Sequence, residues 1–269
     1  MIKTTPKRIA FIGNGAIGHR VFHTIKYELS PRSEFAFLVR NNEKNITTQD
    51  NLSIFSKAQD LLDWRPDLVI ECAGHDAVQL LVPTLLRSGI DVVIVSVGAL
   101  GDAKLRSTLE SAAETGAARM IVVSGAIGGL DALQSSRMAE LTSVKYIGRK
   151  PPVAWSGTPA SEKINLNAVK EPLIIFEGSA SEAAMLYPKN ANVTAAVALA
   201  GVGFDDTQVI LIADPSVIKS VHELQVVGEF GSFTIHLENN PLPSNPKTSW
   251  LAALSIEATL KKYLNPQLI

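Results

Sequence analysis

At 269 residues, with 46% hydrophobic and 19% charged residues, the chain can bury a substantial core and is long enough for two modest domains, which excludes a disordered segment. Its 25 basic and 26 acidic side chains leave a formal net charge of −1, with no long run of one sign and no basic stripe interleaved with aromatic residues, so no nucleic-acid partner is expected. The one cysteine, Cys72, excludes an internal disulfide and a CxxC zinc site, and no apolar run reaches the roughly 18 residues needed to cross a bilayer; neither a metal nor a membrane partner is expected.

The start, MIKTTPKRIAFIGNG, passes from a short polar lead into a strand without the apolar core and cleavage site of a secretory signal. With a free cysteine, this points to a cytoplasmic location. RIAFIGNGAIGHRVFHTI then sets an apolar run of strand length before Gly13, Gly15 and Gly18 in the spacing GxGxxG, followed by Ile17, Val21 and Ile25 at helical intervals. In such a turn the first glycine permits the bend, the second lets a pyrophosphate approach the backbone, and the third allows close helix–strand packing. The free N–H groups of the helix start, here around Ala16 and Ile17, favour an anion. Gly13, Gly15, Ala16, Ile17 and Gly18 are therefore the expected dinucleotide contacts.

The next strand, EFAFLVRNN, ends on Arg40, Asn41 and Asn42 where an acidic residue commonly holds the adenosine ribose. Arg40 is a candidate partner for the 2′-phosphate of NADP, and NAD and NADP both stay open. Continuous apolar runs alternating with helical segments follow: DLVIECAG, DVVIVSVGAL and RMIVVSGAIGGLDALQSS each read as a strand buried on both faces. This pattern predicts a Rossmann-type doubly wound parallel sheet, with ligands beyond the carboxyl ends of the strands. Ala73, between Glu71 and Gly74 at one such tip, is an expected cofactor contact. In the turn after Ser124, Gly125, Gly128 and Gly129 remove side chains, so a nicotinamide could lie close. Cys72 has no basic neighbour and reads as a packing residue.

The dinucleotide-binding domain is expected to span 1–134. A second, α+β mixed-sheet domain is expected over 135–244, with VKYIGRK, which runs into a Pro-rich loop, EPLIIFEG, DTQVILIADP, VHELQVVGEFG and SFTIHLENNP as its strands, the last three antiparallel and joined by turns. NPKTSWLAALSIEATLKKYL, 245–269 with its tail, predicts an amphipathic helix that starts at NPKTS and returns to the first domain. Asn190, in YPKNANV, reads as a helix cap. Arg149, Lys150, Lys189 and Lys247 are the cations on offer to an anionic substrate; Lys247 and Gly125 are the chosen contacts. In VHELQVVG, alternation puts His222, Leu224 and Val226 on one face of a strand, and an imidazole there is either a satisfied core group or a proton-handling one. Of the other histidines only His75, at a strand tip, competes with it.

GNGAIG, ECAGHDAV, SGAIGGLDAL, EGSASEAAMLYPKNANVTAAVALAGVGFDDTQV, ADP followed by VHELQVVGEFG, and NPKTS together resemble the L-aspartate dehydrogenase family, over nearly the whole chain. The resemblance implies a homodimer that uses NAD or NADP to oxidise L-aspartate to iminoaspartate, and so to oxaloacetate and ammonia. It also implies that His222 is catalytic and that Ala126 and Asn192 contact the cofactor. The family pattern carries Asn two residues before the histidine, where this chain has Ser220. On this reading His222 orients the amine, serves as general base and activates water for imine hydrolysis. The competing readings are a reductase of the dihydrodipicolinate or homoserine dehydrogenase type, and a dinucleotide-sensing protein without turnover.

Overall fold

The computed structural model describes residues 7–40, 51–243 and 245–265, without the side chains at 189, 246 and 247. Two units emerge: Met1–Ala99, Ala103–Val123 and Ala253–Ile269 form the first, Leu100–Asp102 and Ser124–Ala252 the second. The change of unit at Val123/Ser124 comes ahead of position 134, so the glycine-rich turn Ser124–Gly129 folds with the second unit.

The first unit holds β1 (Arg8–Ile12), α1 (Ala16–Thr24), β2 (Glu34–Leu38), β3 (Leu52–Phe55), α2 (Ala58–Trp64), β4 (Leu68–Glu71), α3 (His75–Arg87), β5 (Asp91–Ile94), α4 (Ala103–Gly116) and β6 (Met120–Val122). Its strands lie in the order β3-β2-β1-β4-β5-β6, every pair parallel, as the continuous apolar runs require. The order reverses between β1 and β4, which opens a crevice beyond their carboxyl ends, where Gly13 and the Cys72–Gly74 turn lie. β3 and α2 are elements that the hydrophobic pattern did not reveal.

The second unit holds α5 (Leu130–Ser136), β7 (Leu141–Lys150), α6 (Pro159–Lys163), β8 (Leu173–Ser179), α7 (Ala180–Leu186), α8 (Ala191–Ala200), β9 (Gln208–Ala213), β10 (Ser220–Gly228), β11 (Gly231–Asn239), β12 (Pro241–Leu242) and β13 (Asn245–Ser249). A mixed sheet runs β11-β10-β7-β9-β8. β10 and β11 form the expected hairpin, but β9 is no neighbour of theirs: it pairs parallel with β7 and antiparallel with β8. Alternation along β9 marks a strand and its faces, whereas its partners are chosen by the rest of the sheet. α7 begins on a capping box in which Ser179 Oγ accepts the Glu182 N–H and the Glu182 carboxylate accepts the Ser179 N–H. α8, built of small apolar residues, is buried nearly all round.

Asn245–Ser249 is not the start of the last helix. It is strand β13, paired with β12, and α9 (Trp250–Leu264) starts only at Trp250. The backbone there is engaged in a ladder, and the helix begins after it. From Ala253 onward the chain belongs to the first unit: Ala253, Ile256 and Leu260 are fully buried, Arg20 Nε donates to Glu257 Oε1 at 2.8 Å, and the Tyr263 hydroxyl donates to Asp91 Oδ2 at 2.9 Å.

Candidate active site

In the first unit the three glycines of GNGAIG have three separate reasons to be glycine. Gly13 sits at φ +92°, and a Cβ there would come within 2.9 Å of Ala73 Cβ. A Cβ on Gly18 would stand 2.9 Å from the Gly13 carbonyl oxygen, so its absence lets α1 close onto the strand end. Gly15, by contrast, has no protein atom within 4 Å of where its Cβ would be. Room is left there beside the uncapped start of α1. That free space, an open helix start and a cavity of about 750 Å³ lined by Gly13, Gly15, Arg40, Ser56, Ala73 and Leu80 among others fit a nucleotide phosphate and its sugar. Gly13, Gly15, Arg40 and Ala73 thus meet in one cavity. Ala16 and Ile17 form the first turn of α1, and Gly18 packs beneath it.

Glu71 organises this crevice, a role the sequence does not announce. Fully buried at the end of β4, it accepts N–H bonds from Ala73 and Gly74, both at 2.8 Å, and both the N–H and the hydroxyl of Ser96, at 3.0 and 2.9 Å. Four donors on one carboxylate tie the tips of β4 and β5 together. The Ala73 N–H is therefore committed to Glu71 and is not available to a ligand. Cys72 is a packing residue as read: its Sγ donates to the Ile12 carbonyl at 3.3 Å, and burial, with the Glu71 charge second, pushes the thiol well above its ordinary range. Arg40 is exposed and has a carboxylate beside it after all, Asp76 Oδ2 at 3.9 Å from α3. Asn41 and Asn42 lie outside the described residues.

In the second unit His222 is 4% exposed and faces β7. Register places it opposite Gly148, so the residues on its own face of β7 are Tyr146, Gly148 and Lys150. Because Gly148 carries no side chain, the Tyr146 ring lies across it, and its Oη stands 2.8 Å from His222 Nδ1. A Cβ on Gly148 would fall 2.8 Å from that oxygen. Burial keeps the phenol protonated, pushing it far above its usual range. Among the described residues Nε2 of His222 has no protein partner. It is not sealed in, however: among the described residues Ser249 Oγ is the one wholly enclosed side-chain polar atom without a partner. Burial, and second the Lys150 charge, push the imidazole down to about 3, so it is neutral near pH 7.

Lys150, at the end of β7, donates from Nζ to Asn190 Oδ1 at 2.5 Å and lies 5.2 Å from the centre of the Trp155 ring. This overturns the reading of Asn190 as a cap: it occupies the position before α8 but makes no side-chain capping bond, because its oxygen is turned to the ammonium. Burial pushes Lys150 down to about 8. Arg149, pointing the other way, is taken by Asp214 Oδ2 at 3.6 Å, while Asp214 Oδ1 accepts the Ser216 N–H and hydroxyl; the ADP motif is thus a turn and an ion pair. The side chains of Lys189 and Lys247 lie outside the described residues. Asn192 is exposed in the first turn of α8.

The glycine-rich turn is tied to the same sheet. Asn239, the buried last residue of β11, donates from Nδ2 to the Ala126 carbonyl at 2.7 Å, and it pairs in register with Ser220, two residues before His222. Gly125 is at φ +68°, with space around it. Gly129 passes so close to β11 that a Cβ would meet Ile235 at 2.6 Å. Tyr146, Gly148 and Asn239 were not singled out from sequence. The alternation of YIGRK places Tyr146, Gly148 and Lys150 on one face; which strand they face is not a local property.

Comparison with known proteins agrees with both halves. A family model described as aspartate dehydrogenase, C-terminal, matches residues 131–263, and one described as homoserine dehydrogenase, NAD binding domain, matches residues 13–123. The chain is 41% identical to an L-aspartate dehydrogenase of Cupriavidus necator over 94% of this chain and 96% of that protein. It is 50% identical to one of Ralstonia nicotianae over 73% of each. A crystal structure of aspartate dehydrogenase from Thermotoga maritima superposes with a TM-score of 0.78 at 26% identity, covering 98% of this chain and 99% of that one. The reductase reading gives way, since the homoserine dehydrogenase model reaches the first unit only. With relatives matched across both units, the chain belongs to the L-aspartate dehydrogenase family.

Proposed function

We propose that the protein is an NAD(P)-dependent L-aspartate dehydrogenase in which His222 handles the proton of the reacting amine. L-Aspartate is oxidised to iminoaspartate, which water converts to oxaloacetate and ammonia; reversed, the site performs reductive amination. One observation carries the assignment: a buried imidazole is held at Nδ1 by Tyr146 while its Nε2 has no protein partner among the described residues. A core histidine would be expected to have both nitrogens satisfied. Gly13, Gly15, Ala16, Ile17, Gly18, Arg40 and Ala73 on the first unit, and Ala126 and Asn192 on the second, are the proposed cofactor contacts. Gly125 and Lys247 remain proposed substrate contacts.

A bound nicotinamide would supply the acceptor for the hydride that leaves substrate C2. The ammonium of aspartate must first give up one proton, so that its lone pair can form the C=N bond as the hydride leaves. Nε2 is the acceptor for that proton. The role requires Nδ1 to carry a hydrogen and donate it to Tyr146 Oη. Tyr146 Oη has no further acceptor among the described residues, so the proton leaves by Nε2 itself.

Initial rates with L-aspartate and each dinucleotide, following absorbance of the reduced ring, test the reading. His222→Ala is expected to lower kcat by about 10²–10⁴, the usual span for a lost general base, with dinucleotide affinity unchanged. Undiminished turnover in that variant would refute the assignment. A wild type that binds NAD or NADP but oxidises no amino acid would favour the sensor instead. A ¹⁵N spectrum in which Nε2, not Nδ1, bears the hydrogen in the substrate complex would make His222 a donor to substrate and not its base.

A homodimer is the proposed assembly: Leu173 and Ile174 on edge strand β8 and Met185 and Leu186 on α7 expose apolar side chains on the second unit, which a second copy could cover. Sedimentation should give a species of twice the chain mass. No described helix is long and apolar enough to cross a membrane. A cytoplasmic site of action is proposed on the free thiol, Cys72.

A further inference from the structure

We propose that Lys150 is the receptor for one of the two substrate carboxylates, presenting it on the sheet face that carries His222. The inference rests on the dehydrogenase reading above for the identity of the anion. Its physical basis is independent.

Lys150 and His222 share a face by register: His222 lies opposite Gly148, and Lys150 is two residues further along β7. Among the described residues the ammonium has no carboxylate partner. What surrounds it is neutral: the Asn190 oxygen, the Trp155 ring, and across the ladder on β9 the methyl of Ala213. Asp214, the buried carboxylate of the second unit among the described residues, is held by Arg149 and Ser216. Withdrawing an ammonium from water without a counter-charge is costly, and structural lysines avoid it by reaching solvent or an acid. Here the side chain keeps partial access to solvent and is fixed by an amide and an aromatic face, with donor hydrogens left over, since an ammonium has three and Asn190 uses one. Because lysine can only donate, Oδ1 of Asn190 must face it. That arrangement is an anion receptor whose anion comes from outside the chain.

Among the described residues, the groups facing Lys150 from packed elements are His222 on β10, Asn190 ahead of α8, and Trp155 after β7. None can neutralise it. Its charge acts on His222, where it disfavours the imidazolium. A carboxylate seated on Lys150 would remove that opposition and place the amine-bearing carbon of the same small molecule near Nε2.

The test uses the full chain saturated with dinucleotide, with succinate as a probe that has both carboxylates and no amine to oxidise. Lys150→Met should raise the succinate Kd and the L-aspartate KM by about 100-fold, with kcat altered much less and dinucleotide Kd unchanged; Lys150→Arg should recover part of the loss. Asn190→Asp, nearly isosteric, supplies a permanent counter-charge and should weaken succinate similarly, which keeps the test open if the methionine variant does not fold. Calorimetry in buffers of different ionisation enthalpy should show proton uptake on succinate binding above pH 8 in the wild type and none in Lys150→Met. Unmoved succinate Kd in a well-folded Lys150→Met or Asn190→Asp would overturn the inference while leaving aspartate turnover intact. Lys150-dependent succinate binding without aspartate turnover would uphold the receptor and reject the dehydrogenase.

Discussion

Gly148→Ala tests how Tyr146 and His222 are held together. The new Cβ would stand 2.8 Å from Tyr146 Oη, 3.2 Å from its Cζ and 3.3 Å from Leu211 Cδ2. Since φ at Gly148 is not positive, the backbone accepts alanine, and the strain falls on the phenol. The ring is boxed in on the buried face of a central strand, so relief means swinging away from Nδ1. A buried hydroxyl that loses its partner costs about 1–3 kcal/mol, and overpacking a filled core adds about 1–3 kcal/mol. Thermal melting should therefore fall by at least about 5 °C. If the lost hydrogen bond costs roughly 1.4 kcal/mol in the transition state, kcat drops about tenfold. Tyr146→Phe deletes only the hydroxyl and should lose a similar factor in kcat with a smaller change in melting. The decisive measurement is the double variant. If alanine acts by displacing the phenol, adding it to Tyr146→Phe should change kcat by less than about twofold, a coupling typical of residues in one network. Two independent, multiplying losses in kcat, or a Gly148→Ala enzyme that melts and turns over like wild type, would refute the reasoning.

Gly15→Val separates binding from stability. No protein atom lies within 4 Å of the new Cβ and Gly15 has an ordinary extended backbone, so melting should stay within about 2 °C while dinucleotide Kd, by fluorescence titration, rises at least tenfold. His222→Gln should flatten the acid side of the stability curve. The folded pKa of about 3 is below the unfolded value near 6.5, so the unfolded chain binds the extra proton. Stability from this group is full above pH 6.5 and is lost as pH falls toward 3, by at most about 5 kcal/mol at roughly 1.4 per pH unit. Melting temperatures from pH 7 to 4 should converge between wild type and variant as pH falls if the assignment holds; parallel curves would reject it.

Features that depend on a few adjacent residues were legible in the sequence. The GxGxxG spacing sets Gly13, Gly15 and Gly18 to three local tasks, and the structure shows a different steric reason for each. The unbroken apolar runs of β1, β4 and β5 likewise report burial on both faces. What escaped depends on residues distant in the chain. Tyr146 meets His222 across 76 positions because β7 and β10 pair in one register, and alternation names a face without naming the neighbour. Asn190 looked like a cap because asparagine before a helix commonly is one; only the arrival of Lys150 from another strand redirects its oxygen. NPKTS offers good helix-start residues, yet ladder bonds to Pro241 and Leu242 take precedence. Glu71 reads as a strand tip in the sequence, and its four donors come from two separate loops.

The pKa of His222 changes the chemistry that its residue type suggests. A free imidazole near 6.5 would suit proton exchange at neutral pH, but one at about 3 is too weak a base to take a proton from an ammonium group. Two causes hold it there, burial first and the Lys150 charge second, and the substrate opposes them through its charge. A carboxylate on Lys150 cancels the opposing charge, and its own negative charge beside the ring favours the imidazolium. The base is then strong only when substrate is present, which keeps Nε2 unprotonated, and ready to accept, in the free enzyme across the physiological range. Succinate reproduces the two charges without the amine. In the dinucleotide complex, the His222 resonances followed by NMR should remain those of a neutral ring down to pH 4 without succinate, and should titrate at least one pH unit higher with it. An imidazole that still titrates at its free-enzyme pH in the succinate complex would mean that Lys150 and His222 are not coupled through the substrate, and the proton would need another acceptor.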